Sequence, residues 1–222
     1  MLVIAVNGSP RKTWNTATLL KEVLKGARAA GADTELVHLY DLDYAGCKSC
    51  FACKKVGGRS YGRCAVRDGL RPILERIRVE AAALVLGSPL YLHAESGAMR
   101  AFMERLIFPN IVYAPGYPGI FPRTLPTALV YTMNMNEKNL AGHHQAAAMA
   151  NTQAWMQRVF KSCETLMSTD TLQFKDYEKY VSTAFDPQAK LRRRQEVFPQ
   201  HCVQARDLGA RLVEQARALQ SA

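Results

Sequence analysis

Apolar and polar segments alternate along this chain as strands and helices alternate in a parallel-sheet protein. Short apolar runs are each followed by a polar loop, and then by a segment whose apolar residues recur every three or four positions. Such runs predict strands, and such segments predict amphipathic helices. We predict strands at Leu2–Asn7, Thr34–Leu39, Ala82–Gly87, Thr127–Thr132 and within Thr165–Phe174, and helices at about Asn15–Ala30, Leu70–Val79, Ser96–Ile107, Gln145–Lys161 and Gln204–Gln220.

This alternation favours an α/β fold in which helices cover both faces of a parallel sheet. The run Ala82–Gly87 is wholly apolar, as expected of a central parallel strand. Five strands with a polar loop after the first suit a flavodoxin-like three-layer sandwich, with a five-stranded parallel sheet in the order 2-1-3-4-5. No repeat, low-complexity segment or linker interrupts the pattern. We therefore predict a single domain over residues 1–222, with a C-terminal helical extension from about residue 175.

Composition and charge narrow the choice of ligands. With 222 residues and 48% hydrophobic composition, the chain has enough apolar material for one well-packed domain. The formal net charge of +10 favours anionic ligands such as phosphates, nicotinamide nucleotides, acidic proteins or nucleic acid. Arg192-Arg193-Arg194 is the densest basic cluster, and we interpret it as the solvated face of a helix. No nucleic-acid motif with interleaved aromatic residues is found, so we predict no nucleic-acid partner.

The sequence gives no sign of a targeting or membrane-spanning segment. Met1 leads directly into the first predicted strand, without the features of a signal peptide. The longest nearly apolar run, Ala81–Leu86, is far too short to cross a bilayer. We predict a cytoplasmic protein without a membrane partner, whose six cysteines are thiols or ligands rather than disulfides.

The loop after the first strand carries the chemistry expected of a phosphate site. A strand feeds a helix N-terminus there, where free N–H groups and the helix dipole favour an anion. The patterns of nucleoside-triphosphate loops and of dinucleotide-binding turns are both missing. A mononucleotide such as FMN is therefore favoured, and an ordinary turn capping a helix is the alternative. The residues expected to supply hydroxyl, amide and charged groups are Ser9, Arg11, Lys12, Asn15 and Thr16.

Two further loops, after the third and fourth predicted strands, should meet the first at the carboxyl edge of the sheet. Pro89 fixes the local backbone and Tyr91 offers a flat aromatic surface, while N–H groups around Leu90–Leu92 suit the polar edge of a flavin ring. The alternative is that the prolyl residue ends a strand and the tyrosine belongs to the core. The candidates for contact with the ring are Ser88, Pro89, Leu90, Tyr91, Leu92, Thr132 and Asn134.

Three groups of residues together resemble a known family. They are Gly8–Lys12 with Asn15-Thr16, Gly87–Tyr91 with Ser96-Gly97, and Cys47-x2-Cys50-x2-Cys53 ending at Cys64. This combination resembles the NAD(P)H-dependent FMN reductase family, within it the iron–sulfur flavoprotein-like branch. The resemblance implies non-covalent FMN and a homodimer or homotetramer. It also implies that Ser9, Arg11, Asn15 and Thr16 hold the phosphate, and that Pro89, Leu90 and Tyr91 line the isoalloxazine ring.

The cysteine series has the number of thiolates that a 4Fe–4S cluster needs. Ten residues separate Cys53 from Cys64, however, which is a longer gap than in the cluster proteins that the chain resembles. The glycines in this insert would let it loop out and still return the last cysteine. Three interpretations stay open for Cys47, Cys50, Cys53 and Cys64: a 4Fe–4S cluster, a zinc site, or unligated thiols near the flavin.

Two other segments raise questions that the sequence leaves open. His143-His144 has no carboxylate at ligand spacing, so we expect a loop rather than a metal site. The segment Phe108–Arg123 is rich in proline and aromatic residues. We expect it to be a cover over the flavin, a subunit contact or an ordered surface excursion.

Together these features predict an FMN-dependent oxidoreductase. A hydride from NADH or NADPH would reach FMN and pass to a quinone, a free flavin or another small acceptor. Because the cofactor carries this chemistry, no catalytic side chain is required. One alternative is an electron carrier between protein partners that holds FMN, with or without an iron–sulfur cluster. A more distant one is a nucleic-acid or regulatory binding module.

Overall fold

A computed structural model describes residues 1–140 and 144–221, and it has the predicted alternation of strands and helices. The strands are Leu2–Asn7 (β1), Asp33–His38 (β2), Ala81–Tyr91 (β3), Ala94–Glu95 (β4), Thr127–Thr132 (β5) and Glu164–Ser168 (β6). The α-helices are Asn15–Ala29 (α1), Arg71–Val79 (α2), Gly97–Ile107 (α3), Glu137–Leu140 (α4), His144–Phe160 (α5), Pro187–Glu196 (α6) and Phe198–Gln220 (α7).

The sheet has six strands rather than the predicted five. Five of them are parallel, in the order β2-β1-β3-β5-β6, while β4 pairs antiparallel with the end of β3. The flavodoxin-like class and the predicted order are confirmed, because the path β2-β1-β3-β5-β6 becomes 2-1-3-4-5 when the short β4 is left out of the count. At two residues, β4 is too short to show an alternating pattern, so the sequence did not reveal it.

The observed element boundaries differ most from the predicted ones where loops contain apolar residues. Strand β3 continues to Tyr91, because its last residues form a hairpin with β4. Helix α7 begins at Phe198, six positions before the predicted start. His144 is the first residue of α5 rather than part of a loop, and His143 lies outside the described residues.

The central strands present side chains of different size to the two faces of the sheet. The larger side chains pack against a core that includes Ile77 of α2, Phe102 of α3 and Met156 of α5. The smaller ones pack against α1 and α7. The larger set is Ile4, Val6, Leu84, Leu86, Leu129 and Tyr131. The smaller set is Val3, Ala5, Ala83, Val85, Ala128 and Val130.

Helices α1 and α7 cross in close backbone contact over the smaller side chains. A Cβ on Gly26 would lie 1.8 Å from the carbonyl oxygen of Arg206, and a Cβ on Gly209 would lie 1.9 Å from that of Val23. Beside this crossing the Arg206 guanidinium lies 2.6 Å from the Glu22 carboxylate. The C-terminal helix is therefore part of the core, although the sequence alone described it only as an extension.

No helix among residues 1–140 and 144–221 combines the length and apolar character needed to cross a membrane.

Candidate functional site

The three loops singled out by the sequence are hydrogen-bonded to one another at the carboxyl edge of the sheet. The Gly8 N–H donates to the Gly87 carbonyl oxygen at 2.8 Å. The Ser96 hydroxyl donates to the Gly8 carbonyl oxygen at 2.6 Å, which fastens the first loop to the start of α3. The Thr16 and Thr132 hydroxyls lie 2.8 Å apart, so the first loop also meets the end of β5. The predicted convergence of the loops is confirmed.

Asn7 and Gly8 shape the turn that leaves β1. The fully buried Asn7 side chain accepts from the Ser9 N–H at 3.1 Å and donates to the Ser9 carbonyl oxygen at 3.1 Å. A Cβ on Gly8 would come within 2.8 Å of the Met99 Cβ, so only glycine permits this close approach to α3. The sequence analysis did not single out Asn7, whose role depends on being buried at a strand end.

The N-terminus of α1 faces this turn with its first N–H groups outside the helical hydrogen-bond ladder. Trp14 occupies the capping position and its side chain makes no cap bond. The Ser9 hydroxyl oxygen accepts from the Arg11 N–H at 3.2 Å, which leaves the hydroxyl proton able to donate to a ligand. The arrangement suits an anion such as a phosphate.

The two predicted cations of the loop have different environments. The Arg11 guanidinium donates to the Gln173 carbonyl oxygen at 2.6 Å and lies 5.5 Å from the centre of the Trp14 ring. Lys12 instead forms an ion pair with Asp41. Arg11 is thus the cation of this loop whose charge is not offset by a carboxylate among the described residues.

Asn15 and Thr16 are anchors of the loop. The Asn15 side chain donates to the Leu172 carbonyl oxygen at 2.9 Å and accepts from the Arg194 guanidinium at 3.0 Å. Thr16 is buried against Thr132. Both side chains connect the start of α1 to later parts of the chain, a function that the sequence did not predict for them.

The basic cluster of α6 is not a solvated face, which corrects the sequence interpretation. Arg192 is exposed, but Arg193 lies 3.1 Å from the Asp170 carboxylate and Arg194 stacks 3.9 Å from the centre of the Phe198 ring. The buried Lys190 contacts Asn134 and Asp170. Because α6 docks onto the loops after β5 and β6, one of its basic faces points inward. Composition alone could not distinguish this arrangement.

An open cleft of about 560 Å³ lies between the hairpin of β3 and β4 and the loop after β5. Of the residues predicted to contact a ring, Leu90, Leu92 and Asn134 line it, while Ser88, Pro89, Tyr91 and Thr132 are not among the lining residues. The remaining lining residues are His93, Met133, Met135, Asn136, Asn139, Gln145, Asp170, Ala184 and Phe185.

The hairpin turn that borders the cleft has unusual backbone geometry. Leu92 and His93 have φ angles of 49° and 68°, a left-handed conformation that glycine or asparagine normally occupies. Leu92 is 97% exposed, so its side chain projects beyond the protein surface at the cleft. Conformations of this kind are concentrated at ligand sites. The sequence placed these residues in a simple loop.

Ser88 and Tyr91 lie outside the lining of this cleft. The buried Ser88 hydroxyl donates to the Pro89 carbonyl oxygen at 2.8 Å and accepts from the Ser96 N–H at 3.0 Å, so it joins β3 to α3. Tyr91 is half exposed outside the cleft lining; burial and then the nearby Tyr40 raise its pKa, and the nearby Arg11 opposes that rise. Its position is therefore on the phosphate-loop side of the hairpin.

A buried acidic group that the sequence analysis missed lies beside the hairpin. The Tyr131 hydroxyl donates to Glu95 at 2.7 Å, and Arg100 lies 3.4 Å from the other carboxylate oxygen. Burial, followed by the adjacent Glu95 carboxylate, raises the pKa of Tyr131 far above its ordinary value, so the phenol stays protonated. This network fixes β4 against β5 beneath the site.

The four cysteines of the series differ in exposure. Cys47 and Cys50 are exposed, Cys53 is buried and Cys64 is intermediate. Burial raises the pKa of the Cys53 thiol, and Lys54 opposes that rise. In the part of the chain that the structure describes, no three His, Cys, Asp or Glu side chains are grouped as a metal ion requires. The assignment of the four cysteines as ligands stays a prediction.

The last cysteine belongs to a network around a fully buried arginine. The Arg105 guanidinium donates to the Cys64 sulfur at 3.3 Å, to the Ala45 carbonyl oxygen at 3.0 Å and to the Asp68 carboxylate at 2.9 Å. The Asp68 carboxylate also accepts from the Leu70 N–H at 3.1 Å. Arg105 thereby holds both ends of the cysteine-bearing segment against α3.

The proline- and aromatic-rich segment lies at a different surface. Tyr113 and Tyr117 line a groove of about 630 Å³ together with Phe108 and Trp155. None of the described residues of this segment lines the cleft beside the β3–β4 hairpin. Of the three expectations, a cover over the flavin is therefore not supported.

Curated relatives share part of this chain. An iron–sulfur flavoprotein from Archaeoglobus fulgidus is 34% identical over 105 residues, which is 47% of this chain and 48% of the relative. An iron–sulfur flavoprotein from Methanocaldococcus jannaschii is also 34% identical over 105 residues, 47% of this chain and 51% of the relative. The chain spans about half the length of the curated relatives it matches.

Solved structures share the fold at low sequence identity. A NAD(P)H:quinone oxidoreductase from Methanothermobacter marburgensis superposes with a TM-score of 0.69 at 15% identity, covering 96% of each chain. An FMN-dependent NADH-azoreductase from Bacillus anthracis, solved in complex with FMN, gives 0.64 at 13% identity, covering 96% of this chain and 98% of that one. At these identities the likeness concerns the fold.

The family model described as NADPH-dependent FMN reductase matches residues 1–160, which include α1, β1 to β5 and all three converging loops. With its fold, its loop convergence and this match, the chain belongs to the NADPH-dependent FMN reductase family.

Proposed function

We propose that this protein is an FMN-dependent oxidoreductase that uses NAD(P)H to reduce a quinone, a free flavin or another small acceptor. The observation that carries the proposal is that a helix N-terminus suited to an anion and an open cleft of about 560 Å³ both lie at the carboxyl edge of the sheet. A phosphate at the first and a flat ring system at the second match the two ends of one mononucleotide. The whole chain would act as a single FMN-binding unit.

The residues present suit this cofactor at both ends. The first N–H groups of α1, the Ser9 hydroxyl and the Arg11 guanidinium would bind the phosphate. Leu90, Leu92 and Asn134 would contact the ring. When bound, FMN supplies the hydride-accepting chemistry. The chain would position the ring and hold one of its faces open toward the cleft, where a nicotinamide or an acceptor can approach.

The proposal is tested by the absorbance spectrum of the purified protein after addition of FMN. We expect a bound flavin spectrum that bleaches when NADH or NADPH is added under argon, and that recovers when a quinone is added. A preparation that binds no FMN would refute the cofactor assignment. If FMN binds but neither NADH nor NADPH reduces it, the reductase assignment is refuted and the assignment of FMN as cofactor stands.

Replacing Arg11 with alanine should weaken FMN binding by roughly tenfold to a hundredfold, since a charge-assisted bond to phosphate is lost. Flavin fluorescence quenching measures the dissociation constant. Arg28→Ala removes the same charge from the exposed far end of α1 and should change the constant by less than about threefold. Equal FMN affinity in the Arg11 variant and the wild type would contradict the phosphate assignment.

The second candidate function is electron transfer between protein partners, with FMN as carrier. The relatives named iron–sulfur flavoproteins and the exposed Cys47 and Cys50 favour it. It predicts that anaerobic protein contains iron and sulfide in stoichiometric amounts, and that NAD(P)H does not bleach the flavin directly. Metal analysis of anaerobically purified protein, together with the bleaching assay, separates the two functions.

A further inference from the structure

We infer that Arg194, on helix α6, is a second cation of the phosphate site and positions the FMN phosphate together with Arg11. This inference rests on the proposed function. It assigns a ligand-positioning role to a part of the chain beyond residues 1–160, which the family model matches.

The first step concerns where Arg194 is held. Its guanidinium donates to the Asn15 side chain at 3.0 Å, and Asn15 is the first residue of α1. The Arg194 guanidinium carbon lies over the Phe198 ring, 3.9 Å from the ring centre, and this contact restricts the movement of the guanidinium. The Asn15 amide is fixed in turn by the Leu172 carbonyl oxygen at 2.9 Å. The cation is thus directed at the helix N-terminus.

The second step concerns its charge. Within residues 1–140 and 144–221, no carboxylate lies at ion-pairing distance from Arg194 or Arg11, whereas Lys190 and Arg193 on the same helix both meet Asp170. Placing a half-buried cation without a counter-ion is costly. Arg194 is half-buried and Arg11 is exposed, and both lie near the positive end of a helix dipole, which adds a like charge. An anion bound at this position would offset the charges of both guanidinium groups and of the helix N-terminus.

The third step concerns the identity of the anion. Both arginines are bound to one short segment, because Arg11 donates to the Gln173 carbonyl oxygen at 2.6 Å and Arg194 reaches Leu172 through Asn15. Both guanidinium groups are therefore linked to the same turn, one directly and one through Asn15. A terminal phosphate, which carries up to two negative charges, offers acceptors to both.

The test compares two ligands that differ only in the phosphate. The flavin-free 222-residue chain is titrated with FMN and with riboflavin, for the wild type and for Arg194→Gln. We expect the substitution to weaken FMN binding by roughly tenfold to a hundredfold and to change riboflavin binding by less than about threefold. The matched control, Arg192→Gln, removes an exposed cation of the same helix and should change neither affinity by more than about threefold.

The outcomes separate the inference from the proposed function. Equal losses for FMN and riboflavin, or no loss for FMN, would overturn the role of Arg194 and leave FMN as the cofactor. A wild type that binds neither flavin would refute both. If Arg194→Gln does not fold, Arg194→Lys carries the test. Its shorter reach should lower FMN affinity by roughly threefold to tenfold with riboflavin unaffected, and equal losses for both flavins would again overturn the inference.

Discussion

Replacing Arg105 with methionine is expected to lower the free energy of unfolding by about 3–5 kcal/mol, since removal of one partner from a buried ion pair leaves the other charge uncompensated. The Arg105 side chain is fully buried, and its guanidinium binds Asp68, Cys64 and the Ala45 carbonyl oxygen. Urea denaturation of the flavin-free protein, followed by circular dichroism, measures the change.

The double variant Arg105→Met/Asp68→Asn is the matched control. It removes the orphaned charge while keeping an oxygen that can accept from the Leu70 N–H, so part of the stability should return. A double variant no more stable than the single one would show that packing, rather than the unpaired carboxylate, dominates the loss.

The same ion pair sets an expected pH dependence. The hydrogen bond from Arg105 holds the pKa of Asp68 below its ordinary value, so the stabilisation is present above the unfolded-state pKa of about 3.9. It is lost as pH falls through the lower folded-state pKa, because the carboxylate is then protonated. The difference in unfolding free energy between wild type and Arg105→Met should therefore shrink in acid. A difference that stays constant from pH 7 to pH 3 would contradict this account.

Replacing Gly26 with alanine is expected to cost about 3 kcal/mol through overpacking, the upper end of the usual range. The new methyl group would meet the Arg206 backbone carbonyl at 1.8 Å, and α7 must shift to accommodate it. Because alanine gains roughly 1 kcal/mol over glycine in a helix, the free energy of unfolding should fall by about 2 kcal/mol. Urea denaturation measures the net effect.

Gly97→Ala provides the comparison for this second prediction. A Cβ there meets nothing within 4 Å, so the substitution should be neutral or stabilise the flavin-free protein by up to about 1 kcal/mol. If Gly26→Ala proves as stable as Gly97→Ala, the close crossing of α1 and α7 is not a constraint on the fold.

The sequence was sufficient to predict those parts of the fold in which the pattern of apolar residues agrees with their burial. The strands Leu2–Asn7 and Thr127–Thr132 are confirmed with their predicted bounds, since each is an apolar run ended by polar residues. The convergence of the three loops followed from the rule that carboxyl ends of parallel strands share one edge. Assignment of FMN contacts to individual side chains stays a prediction.

The sequence failed where long-range contacts decide the outcome. The inward turn of Lys190, Arg193 and Arg194 depends on Asp170 and Asn15, which are distant in the chain. The sequence also did not predict the hydrogen bonds of Ser88 and Thr132 to other parts of the protein, and their contacts with a flavin stay predictions. A hydroxyl next to a glycine or proline gives no local sign of which partner it will find.

The match to the family model stops at residue 160, but the polypeptide does not become dispensable there. Leu208, Leu212 and Val213 of α7 are buried over the strands' smallest side chains. A gene truncated at that position would encode a polypeptide in which α1 alone covers the alanine- and valine-rich face of the sheet, and it should be recovered as insoluble aggregate. The similarity boundary is thus not a place at which to divide this protein for expression.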